Sequence, residues 1–380
     1  MNDEFIPAHG GQLRELAAEF RVPEKSLLDF SASIDPQPPS DPMIAALCEA
    51  LRARTILTSY PDMHYVALKN AIAAYVHVGA EAISIHSGVM PLLGSALNAL
   101  RPRRCLIPVP AFAEYRKVLG LCGVECCTFS STEGAGFLLE ATSLADSLKV
   151  SGADVLLLAN PQSPTGRLMC REDLLRLQEA ASALGATLIV DEAFIDYAPE
   201  NSVSQWAAGL PGLIVLRSLT KFFAMPGLRV AYAVSCLEMR AAMESCIPAW
   251  PVGSLAAEAG RMVLQDELLI ERTLAANKSE RRWLTEQLQA LGLRVFPGEA
   301  NFLLIRIDEH HNGLEFWRRL IVEHRIVLRS CANFEGLNDQ YFRIGVRTRL
   351  QNEMLVRALK DVLHLLARSL TSQNTIQNQE

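Results

Sequence analysis

Short apolar runs punctuate the middle of the chain: Val155-Leu156-Leu157-Leu158, Thr187-Leu188-Ile189-Val190 and Leu213-Ile214-Val215-Leu216. Each is too short for a helix and has no polar alternation, so each predicts a strand buried on both faces, as in a parallel sheet. They recur about thirty residues apart, the length of a strand-helix-strand unit. The segment from Arg171 through Glu172, Asp173, Leu174, Leu175 and Leu177 to Gly185 has acids at its start and a glycine at its end, which predicts an amphipathic helix between the first two strands. From about residue 41 to 275 this alternation predicts an α/β architecture with a mainly parallel sheet. Farther on, Leu293-Arg294-Val295-Phe296, Phe302-Leu303-Leu304-Ile305-Arg306-Ile307 and Tyr341-Phe342-Arg343-Ile344-Gly345-Val346 predict more strands, with helices between and after them. Residues 369–380 are polar and are expected to fray. No internal repeat is visible.

The end of each central strand carries a chemically distinctive residue. After the first comes Asn160-Pro161-Gln162-Ser163-Pro164-Thr165-Gly166, where the prolines end the strand. After the second comes Asp191-Glu192-Ala193-Phe194, and after the third Ser218-Leu219-Thr220-Lys221, with Arg229 eight positions beyond the lysine. Singly, Asn160 reads as a turn former, Asp191 as a helix cap and Lys221 as a surface lysine, and Ser-x-x-Lys also occurs in serine acyl enzymes. Together they supply what a phosphorylated pyridine aldehyde needs. A lysine amine bonds covalently to such an aldehyde, hydroxyls and a guanidinium suit its phosphate, and a buried carboxylate, costly when unpaired, is understandable opposite a protonated ring nitrogen.

These segments resemble the fold-type I enzymes dependent on pyridoxal 5'-phosphate, specifically the class I/II aminotransferase group, over nearly the whole chain. The resemblance implies an α/β fold whose large cofactor-binding domain spans 41–275, with 276–368 forming a smaller α+β domain to which the N-terminal arm, 1–40, contributes. It implies that Lys221 holds the cofactor covalently, Asp191 partners the ring nitrogen and Asn160 bonds the ring hydroxyl, while Ser218, Thr220 and Arg229 hold the phosphate. Phe194 stands where many members have tyrosine, so one hydrogen bond to the ring oxygen is expected to be missing. His86-Ser87-Gly88-Val89-Met90 resembles the family's glycine turn and helix start, with Gly88, Val89 and Met90 offering backbone amides to phosphate. Phe112 holds the position of the ring that stacks on the cofactor. Tyr60, in Ser59-Tyr60-Pro61-Asp62, matches the tyrosine that reaches the neighbouring subunit's cofactor phosphate, which implies a homodimer with a shared active site.

Composition narrows the classes further. The chain has 380 residues, 50% of them hydrophobic, and a net charge of −6, so it can build an ample core and offers no basic field for nucleic acid. The nine cysteines form no paired Cys-x-x-Cys array, so no metal site is expected and reduced thiols in a cytoplasmic enzyme are. The start is acidic and no apolar run approaches the length of a membrane span, so no membrane association is expected.

The termini bear on substrate. His9-Gly10-Gly11-Gln12 and Asp29-Phe30-Ser31-Ala32-Ser33-Ile34-Asp35-Pro36 resemble the threonine-phosphate decarboxylases of cobalamin biosynthesis, with Ser33 and Asp35 where that family has asparagines. The resemblance implies that His9, Ser33, Ile34 and Asn160 touch a small phosphorylated amino-acid substrate. Arg329 and Arg343, fourteen positions apart, match family positions that bind substrate anions, Arg343 for a carboxylate and Arg329 with His9 for a phosphate. A substrate bearing both groups needs at least two fixed cations, and planar guanidinium forks suit them. The implied reaction is decarboxylation of L-threonine O-3-phosphate to (R)-1-aminopropan-2-yl phosphate. The alternative is a histidinol-phosphate aminotransferase, which shares most cofactor residues. A non-catalytic cofactor-binding protein is a third class, but one in which loss of Lys221, Asp191 or Arg343 is expected, and all three are present.

Overall fold

A computed structural model describes residues 6–377, and the chain divides into two compact units. One takes the N-terminal segment through Pro36, the short piece Pro164–Gly166 and everything from Ala275; the other, larger, takes Gln37–Ser163 and Arg167–Leu274. The first strand of the chain, β1 (Leu28–Asp29), belongs to the smaller unit.

The larger unit contains β2 (Ile83–His86), β3 (Arg104–Val109), β4 (Glu125–Ser130), β5 (Val155–Ala159), β6 (Thr187–Asp191), β7 (Leu213–Ser218) and β8 (Ala231–Ser235). They form one sheet in the order β2-β8-β7-β6-β5-β3-β4, parallel throughout except for β8, which runs antiparallel to both its neighbours. The three apolar runs of the sequence are its centre. All six residues of β7 are buried, as the lack of polar alternation requires of a strand covered on both faces. One face packs Ile189, Ile214 and Leu216 against Leu92, Leu93 and Leu97 of the helix Val89–Leu100. Strand alternation then fixes what stands at the strand ends. Asp191 shares a face with Ile189, and Ser218 with Leu216, while Glu192 and Arg217 fall on the other face.

In the smaller unit β9 (Arg294–Phe296), β10 (Phe302–Arg306), β12 (Arg329–Ser330) and β13 (Tyr341–Gly345) form an antiparallel sheet in the order β12-β13-β10-β9, and β11 (Ile326–Val327) pairs in parallel with β1. Its core gathers Phe30, Leu303, Ile305, Phe342 and Ile344 with Phe316, Trp317, Leu320 and Ile321 of the helix Gly313–His324. The last helix, Arg349–Gln377, runs through the stretch from residue 369 that was expected to fray. No proline or glycine interrupts it, so nothing local stops the hydrogen-bond ladder. Among the described residues no helix is long and apolar enough to cross a membrane.

Candidate active site

Sheet register brings the larger unit's candidate residues together. Ala159 of β5 pairs with Asp191 of β6, and Asp191 with Leu216 of β7, so β5 and β6 end level and β7 runs two residues farther to Ser218. The chain leaving β5 stays attached there, because the Asn160 N–H donates to the Asp191 carbonyl at 2.9 Å. The Asn160 side chain is buried and locked: its Oδ1 accepts from the Met169 N–H at 2.8 Å and its Nδ2 donates to the Met169 carbonyl at 3.0 Å. The second Nδ2 hydrogen is not used by that pair, and a ring hydroxyl is a partner of the right kind.

Asp191 is 6% exposed. Its Oδ2 accepts from the Tyr115 hydroxyl at 2.6 Å and its Oδ1 from the Ala193 N–H at 3.0 Å. Burial raises its pKa above the usual carboxylate value, although Tyr115, Ala193 and the charge of Lys221 all pull the other way. Tyr115 was no part of the sequence expectation. Its signal was faint, an aromatic three positions past Phe112 on a helix start, where the two rings meet edge-on at 5.8 Å between centroids. Lys221 follows β7 by three residues, and its Nζ lies 6.0 Å from the centre of the Phe194 ring. Phe194 therefore offers this lysine an aromatic face rather than a hydroxyl.

The phosphate end is built from β2, β7 and β8. His86 and Ser218 both pair with Ala231, from opposite sides, which brings the turn after β2 beside the turn after β7. Ser218 and Thr220 are buried with their hydroxyl oxygens 2.8 Å apart. Gly88 precedes the helix Val89–Leu100 at its N-cap, and a Cβ placed on Gly88 would come within 3.0 Å of an Arg229 guanidinium nitrogen. A helix N-terminus with its free amides, two hydroxyls and a guanidinium is a donor set suited to a phosphate. Together with an ionisable carboxylate and a lysine held near it, these residues fit pyridoxal 5'-phosphate. Tyr60 stands elsewhere on the unit, 80% exposed and stacked on Trp250 at 4.4 Å.

The smaller unit holds the expected anion-binding residues. Arg329 and Arg343 pair directly across β12 and β13. Like charges so placed repel unless an anion joins them. Arg329 is 4% exposed and donates to the carbonyls of Ala8 at 2.7 Å and Ser330, and to Asn333 Oδ1 at 2.8 Å. Burial first, and then the repulsion of Arg343, brings its pKa down to about 10 despite the nearby Cys331. Arg343 donates to the Ser31 carbonyl at 3.0 Å and lies over the Phe302 ring at 5.2 Å. The His9 N–H donates to Gln12 Oε1 at 2.7 Å, Ile34 is half-buried, and the Ser33 hydroxyl is buried with no hydrogen-bond partner. The N-terminal segment is thus tied to this unit through Ala8 and Ser31. One further residue there, Arg347, escaped the sequence reading.

Known proteins match this arrangement. The family described as Aminotransferase class I and II matches residues 26–360. The chain is 37% identical to the threonine-phosphate decarboxylase of Salmonella typhimurium, over 94% of this chain and 97% of that one. Among solved structures, the histidinol-phosphate aminotransferase of Clostridium acetobutylicum superposes with a TM-score of 0.82 at 29% identity, covering 90% of this chain and 100% of its own. The L-threonine-O-3-phosphate decarboxylase of Porphyromonas gingivalis gives 0.76 at 25% identity, covering 88% and 99%.

Proposed function

The chain belongs to the class I and II aminotransferase family, whose members are pyridoxal-phosphate-dependent enzymes, and from that premise we propose that it decarboxylates L-threonine O-3-phosphate to (R)-1-aminopropan-2-yl phosphate in cobalamin biosynthesis. The observation that carries the substrate assignment is the cross-strand pair of Arg329 and Arg343, which suits a molecule with two acidic groups. The likeness to the Salmonella decarboxylase supports the reaction type.

When bound, the cofactor supplies an electron sink for the pair left behind as a bond to the substrate α-carbon breaks. The protein does the rest. Lys221 would hold the cofactor through its amine, and that amine would also be the group available to carry a proton beside the substrate α-carbon. Asp191 keeps the ring nitrogen protonated, Asn160 holds the ring hydroxyl, and Phe112 covers a ring face. Ser218, Thr220, Arg229 and the backbone amides from Gly88 to Met90 anchor the phosphate. Arg343 takes the substrate carboxylate, and Arg329 with His9 takes the substrate phosphate, alongside Ser33 and Ile34. Reaction choice would be a matter of orientation, and Arg343, by holding the substrate carboxylate, would select the bond to that carboxylate for cleavage. Carbon dioxide leaves, and Lys221 returns a proton to the α-carbon.

Purified holoenzyme given threonine phosphate should release carbon dioxide without consuming any 2-oxo acid. Ready transamination of histidinol phosphate with no carbon dioxide release would overturn the assignment. Borohydride reduction of the holoenzyme followed by peptide mapping should place the cofactor on Lys221, and label on any other lysine removes that role.

The same proposal includes a homodimer in which Tyr60 serves the partner's site. Tyr60, Leu57, Met63 and Val66 are all more than half exposed, an apolar surface that a second copy would cover. Sedimentation of a fully active monomer excludes it. As a biosynthetic enzyme of this kind the protein is assigned to the cytoplasm, which cell fractionation tests.

A further inference from the structure

The smaller unit holds a third guanidinium that the reaction above does not use. Arg347 follows β13 by two residues, and its backbone is clamped by the fully buried Asn352, whose Oδ1 accepts from the Arg347 N–H at 3.1 Å and whose Nδ2 donates to the Arg347 carbonyl at 2.8 Å. The Arg347 side chain turns toward the N-terminal segment, where Nη1 donates to the Ile34 carbonyl at 3.5 Å. Arg343 grips the same segment three residues earlier, at the Ser31 carbonyl. Between the two arginines Gly345 runs so close to it that an added Cβ would lie 3.1 Å from the Ala32 carbonyl oxygen and 3.2 Å from that of Phe30.

Ser33 sits between the two gripped carbonyls, 3% exposed, with its hydroxyl lacking any hydrogen-bond partner. The Arg347 Nε is likewise buried without a partner. The charged groups that act on Arg347 are Asp29 and Asp35 of the N-terminal segment, and Asp29 acts on Arg343 as well. Asp29 Oδ1 already accepts from the Ser31 N–H at 2.7 Å, the Ser31 hydroxyl at 2.6 Å and the Ala32 N–H at 3.2 Å. A half-buried guanidinium whose Nε has no hydrogen-bond partner is costly to desolvate, and an anionic ligand offsets that cost.

Charge counting points the same way. A phosphate monoester carries about −1.5 to −2 at pH 7, its second ionisation falling near pH 6, so the phosphate and carboxylate of a phosphorylated amino acid together carry more negative charge than the two guanidinium groups of Arg329 and Arg343 supply, the substrate amine being engaged at the cofactor. We propose that Arg347, with the Ser33 hydroxyl, is a further substrate-anion contact that makes binding depend on the second ionisation of a phosphate monoester. This rests on the reading of the site as a receptor for a phosphorylated amino acid, and it adds a specificity residue to that reading.

The test uses the holoenzyme and methyl phosphate, a monoester with no amine to react with the cofactor, titrated calorimetrically between pH 5 and pH 8. Wild-type affinity should climb as the second ionisation completes near pH 6. Arg347→Gln should bind about tenfold or more weakly at pH 8, the size expected for a lost charge-assisted hydrogen bond, and its affinity should stay nearly flat with pH. Arg347→Lys should restore the climb. In turnover, Arg347→Gln should raise KM for threonine phosphate with kcat kept within about twofold, since binding alone is lost. A wild-type-like pH profile in Arg347→Gln overturns the inference, as does a fall in kcat with KM unchanged. Failure of threonine phosphate as a substrate leaves the methyl phosphate titration unaffected, so the two ideas fail separately.

Discussion

The Tyr115 hydroxyl donates to the Asp191 carboxylate at 2.6 Å across seventy-six positions of sequence, and both groups are buried in the larger unit. Tyr115 sits in the hydrophobic cluster that lines one face of the sheet, so its ring is fixed by packing and its hydroxyl is fixed in turn. The carboxylate proposed to partner the cofactor ring is therefore aimed by Tyr115, a residue outside the proposed cofactor contacts. Removing the hydroxyl in Tyr115→Phe takes away a bond that holds the carboxyl pKa down, so that pKa climbs further. Because Asp191 acts as a carboxylate, the acid limb of the kcat/KM profile should move to higher pH. Loss of a hydrogen bond to a charged group, about 1.5–3 kcal/mol, corresponds to a fall of about tenfold or more at neutral pH. Steady-state kinetics across the pH range check both.

Asp191 also separates stability from activity. Its folded-state pKa is raised, chiefly by burial, so ionised Asp191 costs stability at any pH above that raised value. The cost fades as pH falls through the folded pKa and is gone below the unfolded one. Asp191→Asn carries no such charge. The cofactor-free variant should thus unfold at higher denaturant concentration than the cofactor-free wild type at pH 8, with the gap closing as the solution is made acidic. The loaded variant should lose activity by a factor on the order of a thousand, as removal of a principal electrostatic partner does. Equal stability at both ends of the pH range would refute the burial argument.

Gly88 stands where helix start and guanidinium meet. A methyl group at Gly88 would approach an Arg229 nitrogen to 3.0 Å, tighter than ordinary carbon contacts, so Gly88→Ala must push the arginine aside. Gly88 also has a φ of +154°, which residues with a Cβ rarely adopt, so the change strains the turn besides displacing the exposed Arg229. The cofactor dissociation constant, followed by absorbance on dilution, should rise about tenfold or more, and the backbone strain should lower the thermal midpoint of the cofactor-free protein by a few degrees.

On the opposite face of the same strands, Arg217 is buried among Glu192, Asp196 and the hydroxyls of Ser202 and Ser204, and the Tyr75 hydroxyl donates to Asp196 at 2.8 Å. Burial acts against the charge of Arg217, yet Asp196 and the other groups around it hold its pKa above the usual arginine value. Replacing Arg217 by Met would strand two buried carboxylates. The expected cost is about 3–5 kcal/mol, read from the denaturation midpoint. Glu192 adjoins Asp191 and Arg217 adjoins Ser218, so the network also ties together the two strand ends that carry those candidate residues. The charge-conserving Arg217→Lys should recover only part of the loss, because a point charge cannot serve several acceptors in one plane.

Much of this molecule was legible along the chain. The uninterrupted apolar runs identified β5, β6 and β7, because a strand covered on both faces can carry no polar alternation. The prolines after Asn160 and the acid at Asp191 marked where those strands stop, since backbone restriction and desolvation act on a residue wherever the fold goes. The lysine, hydroxyls and arginine after β7 pointed to a phosphorylated aldehyde through their own chemistry. What the sequence could not disclose was which distant groups become neighbours. Tyr115 beneath Asp191, Gly88 against Arg229 and Arg347 at Ile34 each depend on strand order or cross-strand register. Periodicity and turn chemistry are set over a few residues, whereas those encounters are set by how whole strands and helices pack. The linear order of the chain therefore determined the kind of chemistry, and only tertiary packing decided the geometry and protonation that tune it.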